Sequence, residues 1–275
     1  MIIPTFLTCP ICSEKLEKTD NSLKCPKNHS YDFAKSGYIN LLNPGKKNNA
    51  KTGESKEMIK ARTSFFETGA YGKIRDFLCE IIAPMKKDVI IDAGCGEGYY
   101  DESMASSFPD STVIGFDMSK HGTEHGAKSM RMKKITNTFF AVSNIFNMPV
   151  DSESADIIVN MFAPVSYDEF ARVLKKGGYL IIGASGKDHL YEMKKAIYDT
   201  VHLNEFNDHE NAFFEKVEVK NLKYVVEIHG SEAIMSLFTM TPYYHHTSSS
   251  DKEKIMALDT LNTTVEVDFT ILRKI

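Results

Sequence analysis

Short apolar runs alternate along this chain with amphipathic stretches, the pattern of strands buried on both faces and joined by helices. Val89-Ile90-Ile91, Ser111–Phe116, Thr138–Val142, Asp156–Pro164 and Tyr179–Ala184 read as five strands of a parallel sheet. From Ser55, the positions Met58, Ile59, Arg62, Phe65 and Phe66 recur on one helical face closed near Gly69, and a second helix runs from Tyr71 to about Ala83. The helix after the second strand is expected to be short or mobile, because Gly122 and Gly126 fall within it. Residues 167–174 predict a helix, followed by a turn at Lys175-Lys176-Gly177-Gly178. Beyond residue 184 the pattern predicts helices near 188–200, 230–238 and 251–262, a strand near 217–228, and a last strand with Val265, Val267, Phe269 and Ile271 on one face. Those two late strands leave little room for a crossover, so they suit an antiparallel edge on a mostly parallel sheet.

The first strand runs into Asp92-Ala93-Gly94-Cys95-Gly96-Glu97-Gly98, an acid and then a Gly-x-Gly-x-Gly turn that lets the backbone approach a nucleoside ligand. Such a turn serves both dinucleotide oxidoreductases and S-adenosylmethionine methyltransferases. A nicotinamide site spaces its second and third glycines three apart, to aim a helix N-terminus at a pyrophosphate; here the spacing is two, with Glu97 between. An anion there repels phosphate, whereas S-adenosylmethionine has no phosphate and carries a cationic amino-acid end. Asp117 closes the second strand, where a carboxylate can accept hydrogen bonds from both ribose hydroxyls.

Composition narrows the class. The chain has 275 residues, 42% of them apolar, with no apolar run near the roughly 20 residues that a membrane helix needs and no export pattern at the N-terminus, so a cytoplasmic protein without membrane association is expected. Net charge is −4, but residues 1–75 hold 13 Lys/Arg against 7 Asp/Glu and residues 76–275 hold 20 against 30. Any nucleic-acid contact should therefore be led by the N-terminal part.

Of five cysteines, Cys79 and Cys95 stand apart while Cys9, Cys12 and Cys25 cluster. Cys9-Pro-Ile-Cys12 and Cys25-Pro-Lys-Asn-His29 form two knuckles whose four soft ligands match a closed, structural zinc site. A segment this short is expected to draw its stability from the metal. Tyr31, Phe33 and Tyr38, interleaved with Lys35, fit two uses equally: stacking on single-stranded RNA bases, or packing the finger against the main domain. Residues 43–53 lack large apolar side chains, carry three lysines and read as a mobile basic loop.

With both halves in view, the chain resembles the bacterial 23S ribosomal RNA guanine-N1 methyltransferases, the group that includes the tylosin-resistance methyltransferase. The likeness rests on the Cys-Pro-x-Cys and Cys-Pro-x-x-x-His-x-x-Asp-Phe-Ala-Lys-x-Gly-Tyr-x-Asn-Leu-Leu pattern over 9–42, and on Ala61-Arg62, Phe65 and Gly69-Ala70-Tyr71. It continues in Asp92–Tyr100, Ala163-Pro164, Asp188-His189-Leu190 and Met240-Thr241-Pro242. The resemblance implies a Rossmann-like class I S-adenosylmethionine methyltransferase domain behind a small zinc-binding domain, divided as 1–42, 43–84 and 85–275. It also implies methyl transfer to N1 of a guanine in a hairpin loop of 23S rRNA, by a homodimer whose zinc parts help grip RNA. Cofactor contacts carry over to Tyr71, Gly96, Glu97 and His189, beside Asp92, Gly94, Gly98 and Asp117 of the turn and second strand. Methyltransferases commonly place an acid for the adenine amino group where this chain has Asn144, whose side-chain carbonyl can serve.

Asn160, Phe162 and Pro164 fall at the carboxyl end of the fourth strand, the rim where ligands of open parallel sheets sit. Asn160 and Phe162 are therefore expected to orient and stack the target guanine. The proton acceptor for guanine N1 is not evident from the sequence. Two alternatives stay open: a methyltransferase for small molecules, and an RNA-binding protein with a degenerate donor site.

Overall fold

The computed structural model describes residues 2–43, 45 and 55–275; the basic loop expected over 43–53 lies largely outside them. β1 (Glu17–Thr19), β2 (Ser22–Lys24) and β3 (Ser30–Asp32) form a small antiparallel ribbon. β4 (Ile39–Asn40) leaves it and lies parallel to Ala141–Val142. α1 (Lys56–Glu67) starts where Ser55 caps it, the Ser55 Oγ accepting from the Met58 N–H, and α2 (Gly72–Ile82) follows. The central alternation is β5 (Val89–Ala93), α3 (Tyr99–Ser107), β6 (Thr112–Asp117), α4 (Lys120–Met132), β7 (Thr138–Val142), β8 (Ala155–Met161), α5 (Tyr167–Val173) and β9 (Leu174–Ser185). The chain closes with α6 (Tyr191–Ile197), β10 (Phe214–His229), α7 (Ser231–Thr239), α8 (Tyr243–His246), α9 (Ser249–Met256) and β11 (Thr260–Lys274).

Among the described residues one large sheet has the order β10-β11-β9-β8-β5-β6-β7-β4. From β4 to β9 every pairing is parallel, and β11 and β10 add the antiparallel margin expected. Sequence order reverses beside β5, whose neighbours are β6 and β8, so a crevice opens there at the carboxyl ends.

Successive strand residues are buried to opposite faces. Ile90, Val113, Val159 and Ile181 pack under α1, α2 and α7 with Phe65, Ile74, Leu78 and Phe238. Ile91, Ile114, Phe139 and Ile158 face the other way, and their cover is partly the zinc ribbon: Leu7, Leu16, Leu23, Phe33 and Leu41 share their cluster with Phe170 and Val173 of α5. The ribbon is thus one wall of the sheet. Full burial of each such aliphatic side chain contributes about 1.5–3 kcal/mol, so the metal is not the segment's sole source of stability, as its length alone suggested. The same contacts decide between the two uses of the aromatics. Phe33 is buried against the sheet, Tyr38 against Cys95, Met130 and Phe140, and Tyr31 lies half-buried at the ribbon's edge.

Several boundaries differ from the sequence reading. β9 continues through Lys175–Gly178 because a left-handed Gly177 (φ 74°) and a register shift opposite Ala155 and Ile157 absorb the expected turn within the strand. α9 ends at Met256, and the β-branched run from Thr260 joins β11 by pairing with β10. α4 is neither short nor broken: it spans 13 residues, capped by Ser119. Its glycines are where another backbone comes close. A Cβ on Gly122 would lie 2.7 Å from the Gly96 carbonyl oxygen, and one on Gly126 2.9 Å from Phe140 and 3.1 Å from the Glu97 carbonyl oxygen.

Helix propensity alone makes Gly122→Ala stabilising by up to about 1 kcal/mol. The contact reverses the sign: Gly122→Ala should destabilise by about 1–3 kcal/mol, as overpacking does, and lower the midpoint of a thermal melt. A raised midpoint would contradict the packing described.

Candidate functional site

The turn after β5 is built by its glycines. Gly94, Gly96 and Gly98 have φ of 97°, 53° and 80°, in the left-handed region that side chains resist. Gly94 and Cys95 donate to the Phe116 carbonyl at 2.8 and 3.2 Å, which ties the turn to the end of β6. Asp117 completes the tie: Oδ2 accepts from Gly96 N–H at 2.9 Å and Oδ1 from Ser119 N–H at 2.6 Å. A ribose at this carboxylate therefore shares it with the turn.

Above the turn lies a cavity of about 840 Å³. It brings together Tyr71, Gly94, Gly96, Glu97, Asp117, Phe162 and His189 from five separate stretches of chain. Asp92, Gly98, Asn144 and Asn160 are not among its lining residues. Asn160 departs furthest from expectation. It is fully buried, and its Nδ2 donates to the carbonyls of Ala93 at 2.7 Å and Pro164 at 3.2 Å, so it joins β8 to β5 and shapes the 160–164 turn instead of facing a guanine. Asn144 spends its Oδ1 on the Phe146 N–H, and Ile145 and Phe146 line the cavity in its stead. Gly98 caps α3.

Glu97 is buried and meets Arg62 of α1, whose Nε lies 2.9 and 2.7 Å from the two carboxylate oxygens and whose Nη2 is 2.6 Å from Oε2. The anion that set this turn apart from a phosphate site is therefore neutralised within the chain. Its pairing clamps α1 onto the turn, and removing one partner of such a buried pair typically costs 3–5 kcal/mol. Arg62 is the residue of this site that sequence reasoning left without a role. The signal was there: a charge on the apolar face formed by Met58, Ile59, Phe65 and Phe66.

Behind the turn, Asp92 and Asp101 are both fully buried, and neither carboxylate has a hydrogen-bond donor. Burial, and then the nearby charges of Asp117 and Glu97, push Asp92 up to about 7 despite its contact with Asp101. Asp101 is raised further, by burial and by Asp92. Burial and mutual repulsion thus disfavour charge on both carboxylates at once.

His189 and Tyr71 form the far wall. His189 Nδ1 lies 3.2 Å from the Glu266 backbone N–H and can only accept there, so Nε2 carries the ring hydrogen and donates to the Tyr71 oxygen at 3.1 Å. The Tyr71 hydroxyl hydrogen then remains as a donor on the cavity wall. Phe162 is 43% exposed, its ring 5.9 Å from that of His189. Its left-handed backbone, φ 53°, is stabilised by donation from its N–H to the Gly183 carbonyl at 2.8 Å.

In the ribbon, Cys9, Cys12, Cys25 and His29 each offer one atom within 4.8 Å of all the others. Cys9 Sγ and Cys25 Sγ are each 3.4 Å from His29 Nδ1, and Cys12 Sγ is 3.6 Å from Cys25 Sγ. The edges of a tetrahedral zinc site with these donors are roughly 3.5–3.8 Å, so the four residues suit zinc. The Tyr31 hydroxyl lies 3.2 Å from Cys9 Sγ and can donate to its thiolate, a support for a metal-bound sulfur.

Two expected outcomes follow from this geometry. Metal analysis should find about one zinc per chain, lost in Cys25→Ser. Exchange protection should then fall in β1–β3 and persist at β4, which is anchored on β7; equal loss at both would show that the metal holds the whole segment. The second outcome concerns acid. Burial holds His189 down at about 4, against 6.5 when exposed, so the unfolded chain takes up a proton that the folded chain refuses. The stability carried by the neutral ring is complete above pH 6.5 and drains as pH falls toward 4. His189→Asn should flatten that limb of the melting midpoint against pH, by at most about 3 kcal/mol; parallel curves would contradict the assignment.

The methyltransferase-domain family matches residues 84–239, and a zinc ribbon described as RlmA, N-terminal, matches residues 7–51. Among curated proteins, a 23S rRNA (guanine(748)-N(1))-methyltransferase of Streptomyces fradiae is 26% identical, over 98% of this chain and 96% of its own length. The Bacillus subtilis protein named "Putative 23S rRNA (guanine-N(1)-)-methyltransferase YxjB" is 26% identical over 97% and 96%. With more than half of its length matched, and the turn, cavity and ribbon in the places described, the chain belongs to the methyltransferase-domain family and carries an N-terminal zinc ribbon.

Proposed function

We propose that this protein transfers the methyl group of S-adenosylmethionine to N1 of a guanine in a hairpin loop of 23S rRNA. The observation that carries the reading is one chain holding both the ribbon and the methyltransferase core along almost the full length of relatives with that activity in their names. In this reading residues 1–42 serve RNA recognition and zinc binding, 43–84 link, and 85–275 form the catalytic domain. The enzyme works in the cytoplasm as a homodimer. With Phe33 and Tyr38 buried, the ribbon's grip on RNA falls to exposed cations such as Lys18, Lys24 and Lys35.

S-adenosylmethionine, when bound, supplies a methyl group on a cationic sulfur. The cavity residues do the rest. Gly94 and Gly96 let the backbone approach the nucleoside, Asp117 accepts from ribose hydroxyls, and the Tyr71 hydroxyl, oriented by His189, donates to the amino-acid end. Glu97, fixed by Arg62, gives that end an acceptor. The target base leaves its loop and stacks against Phe162, and holding it in line with the methyl group supplies most of the acceleration.

Labelled methyl transfer to unmodified 23S rRNA, followed by mass mapping, tests the reading: the label should appear as 1-methylguanosine in a hairpin loop. Phe162→Ala should raise the KM for RNA by roughly tenfold, as loss of one stacking face does. Transfer to small acceptors without RNA would instead favour a small-molecule methyltransferase. Binding of RNA without binding of S-adenosylmethionine would favour a degenerate donor site.

A further inference from the structure

Four carboxylates line the cavity: Glu97, Asp117, Asp268 and Glu205. Three are engaged. Glu97 is paired with Arg62, Asp117 accepts from the turn, and Asp268 Oδ1 accepts from Asn221 at 2.7 Å. Among the described residues Glu205 makes no hydrogen bond or ion pair, and it is exposed while lining the cavity.

Its backbone is nevertheless held. Glu205-Phe206-Asn207 belongs to the irregular segment between α6 and β10, tied at both ends to the carboxyl rim of the sheet. At one end the Asn204 Nδ2 donates to the Gly186 carbonyl at 2.7 Å, just past β9. At the other, His209 is buried in a left-handed conformation, φ 57°, with Nδ1 2.7 Å from the Tyr167 hydroxyl at the start of α5. Between them the Asn207 Oδ1 accepts from the His209 N–H at 3.0 Å. Phe206 is 56% exposed and lines the same cavity as Phe162. A free carboxylate and two aromatic faces thus border one opening.

We infer that Glu205 is the catalytic residue that reads the guanine edge and accepts the N1 proton; this rests on the reading given under Proposed function. Guanine N1–H and the 2-amino group are adjacent donors, and a carboxylate has two acceptor oxygens side by side to meet them. Adenine presents a lone pair at N1, which the same carboxylate repels, so Glu205 also selects the base. In the reaction the N1–C bond forms as the S–C bond breaks, and the bonding pair leaves with sulfur. The N1 proton passes to a Glu205 oxygen and from there to solvent, so the product base is neutral, the donor leaves as a neutral thioether and Glu205 returns to its carboxylate form. Phe206 and Phe162 supply the stacking surfaces that hold the extruded base against this edge.

The test uses the full chain and unmodified 23S rRNA at saturating S-adenosylmethionine. Glu205→Gln should lower kcat by about 100-fold or more, the usual contribution of a general base, with the affinity for S-adenosylmethionine unchanged by calorimetry. In Glu205→Ala, added formate should restore part of the rate, which a merely structural role would not allow. A Glu205→Gln kcat within about threefold of wild type overturns the inference, as does a loss matched by lost cofactor affinity. Failure of the wild-type chain to form 1-methylguanosine overturns the reading beneath it as well, and so is told apart from failure of Glu205 alone.

Discussion

Everything in this molecule is arranged around one short backbone turn that must be held open from beneath. Gly94, Gly96 and Gly98 adopt conformations that only glycine takes readily, and the N–H groups of the turn need partners once the surrounding helices close over them. Phe116 and Asp117 provide those partners from β6, and α4 can pack across the turn only because Gly122 and Gly126 have no side chain to collide with it. From the other side α1 is drawn down by Arg62 on Glu97. Two helices, two strands and a salt bridge thereby fix the floor and wall of a single cavity.

That arrangement also explains why the ribbon belongs to the fold. A parallel sheet has to be covered on both faces. α5 covers only part of one face, and residues 7–41 of the ribbon cover more of it, down to β4 pairing with β7. Tyr38 reaches the cluster containing Cys95 inside the turn itself. The zinc-bearing segment and the turn are thus continuous through packed side chains.

Much of this was legible in the sequence, because the strands are apolar runs and the glycine turn and ligand spacing are local patterns. The strand positions, the antiparallel margin, the four zinc-suited residues and the placement of Tyr71, Glu97, Asp117 and His189 around one cavity all follow from local reading combined with family resemblance. What failed was non-local. Gly122 and Gly126 read as helix breakers because the backbone they accommodate lies more than twenty residues away. Asn160 read as a guanine contact because it sits at the carboxyl end of its strand, but it is fully buried there, its Nδ2 spent on the Ala93 and Pro164 carbonyls. Arg62 carried one local mark, a charge on an apolar helix face, and Glu205 none: the first takes its role from the carboxylate it meets 35 residues on, the second from tethers at Asn204 and His209 that only the folded chain displays.

Hydrogen exchange of the full chain with and without S-adenosylmethionine addresses the central claim most directly, that the cavity over the glycine turn is where the methyl donor sits. The account predicts slower exchange at the amides of residues 94–98 and 117–119, with β1 and β2 of the ribbon unchanged. Protection that bypasses the turn, or appears only at the ribbon or the hairpin, would contradict it.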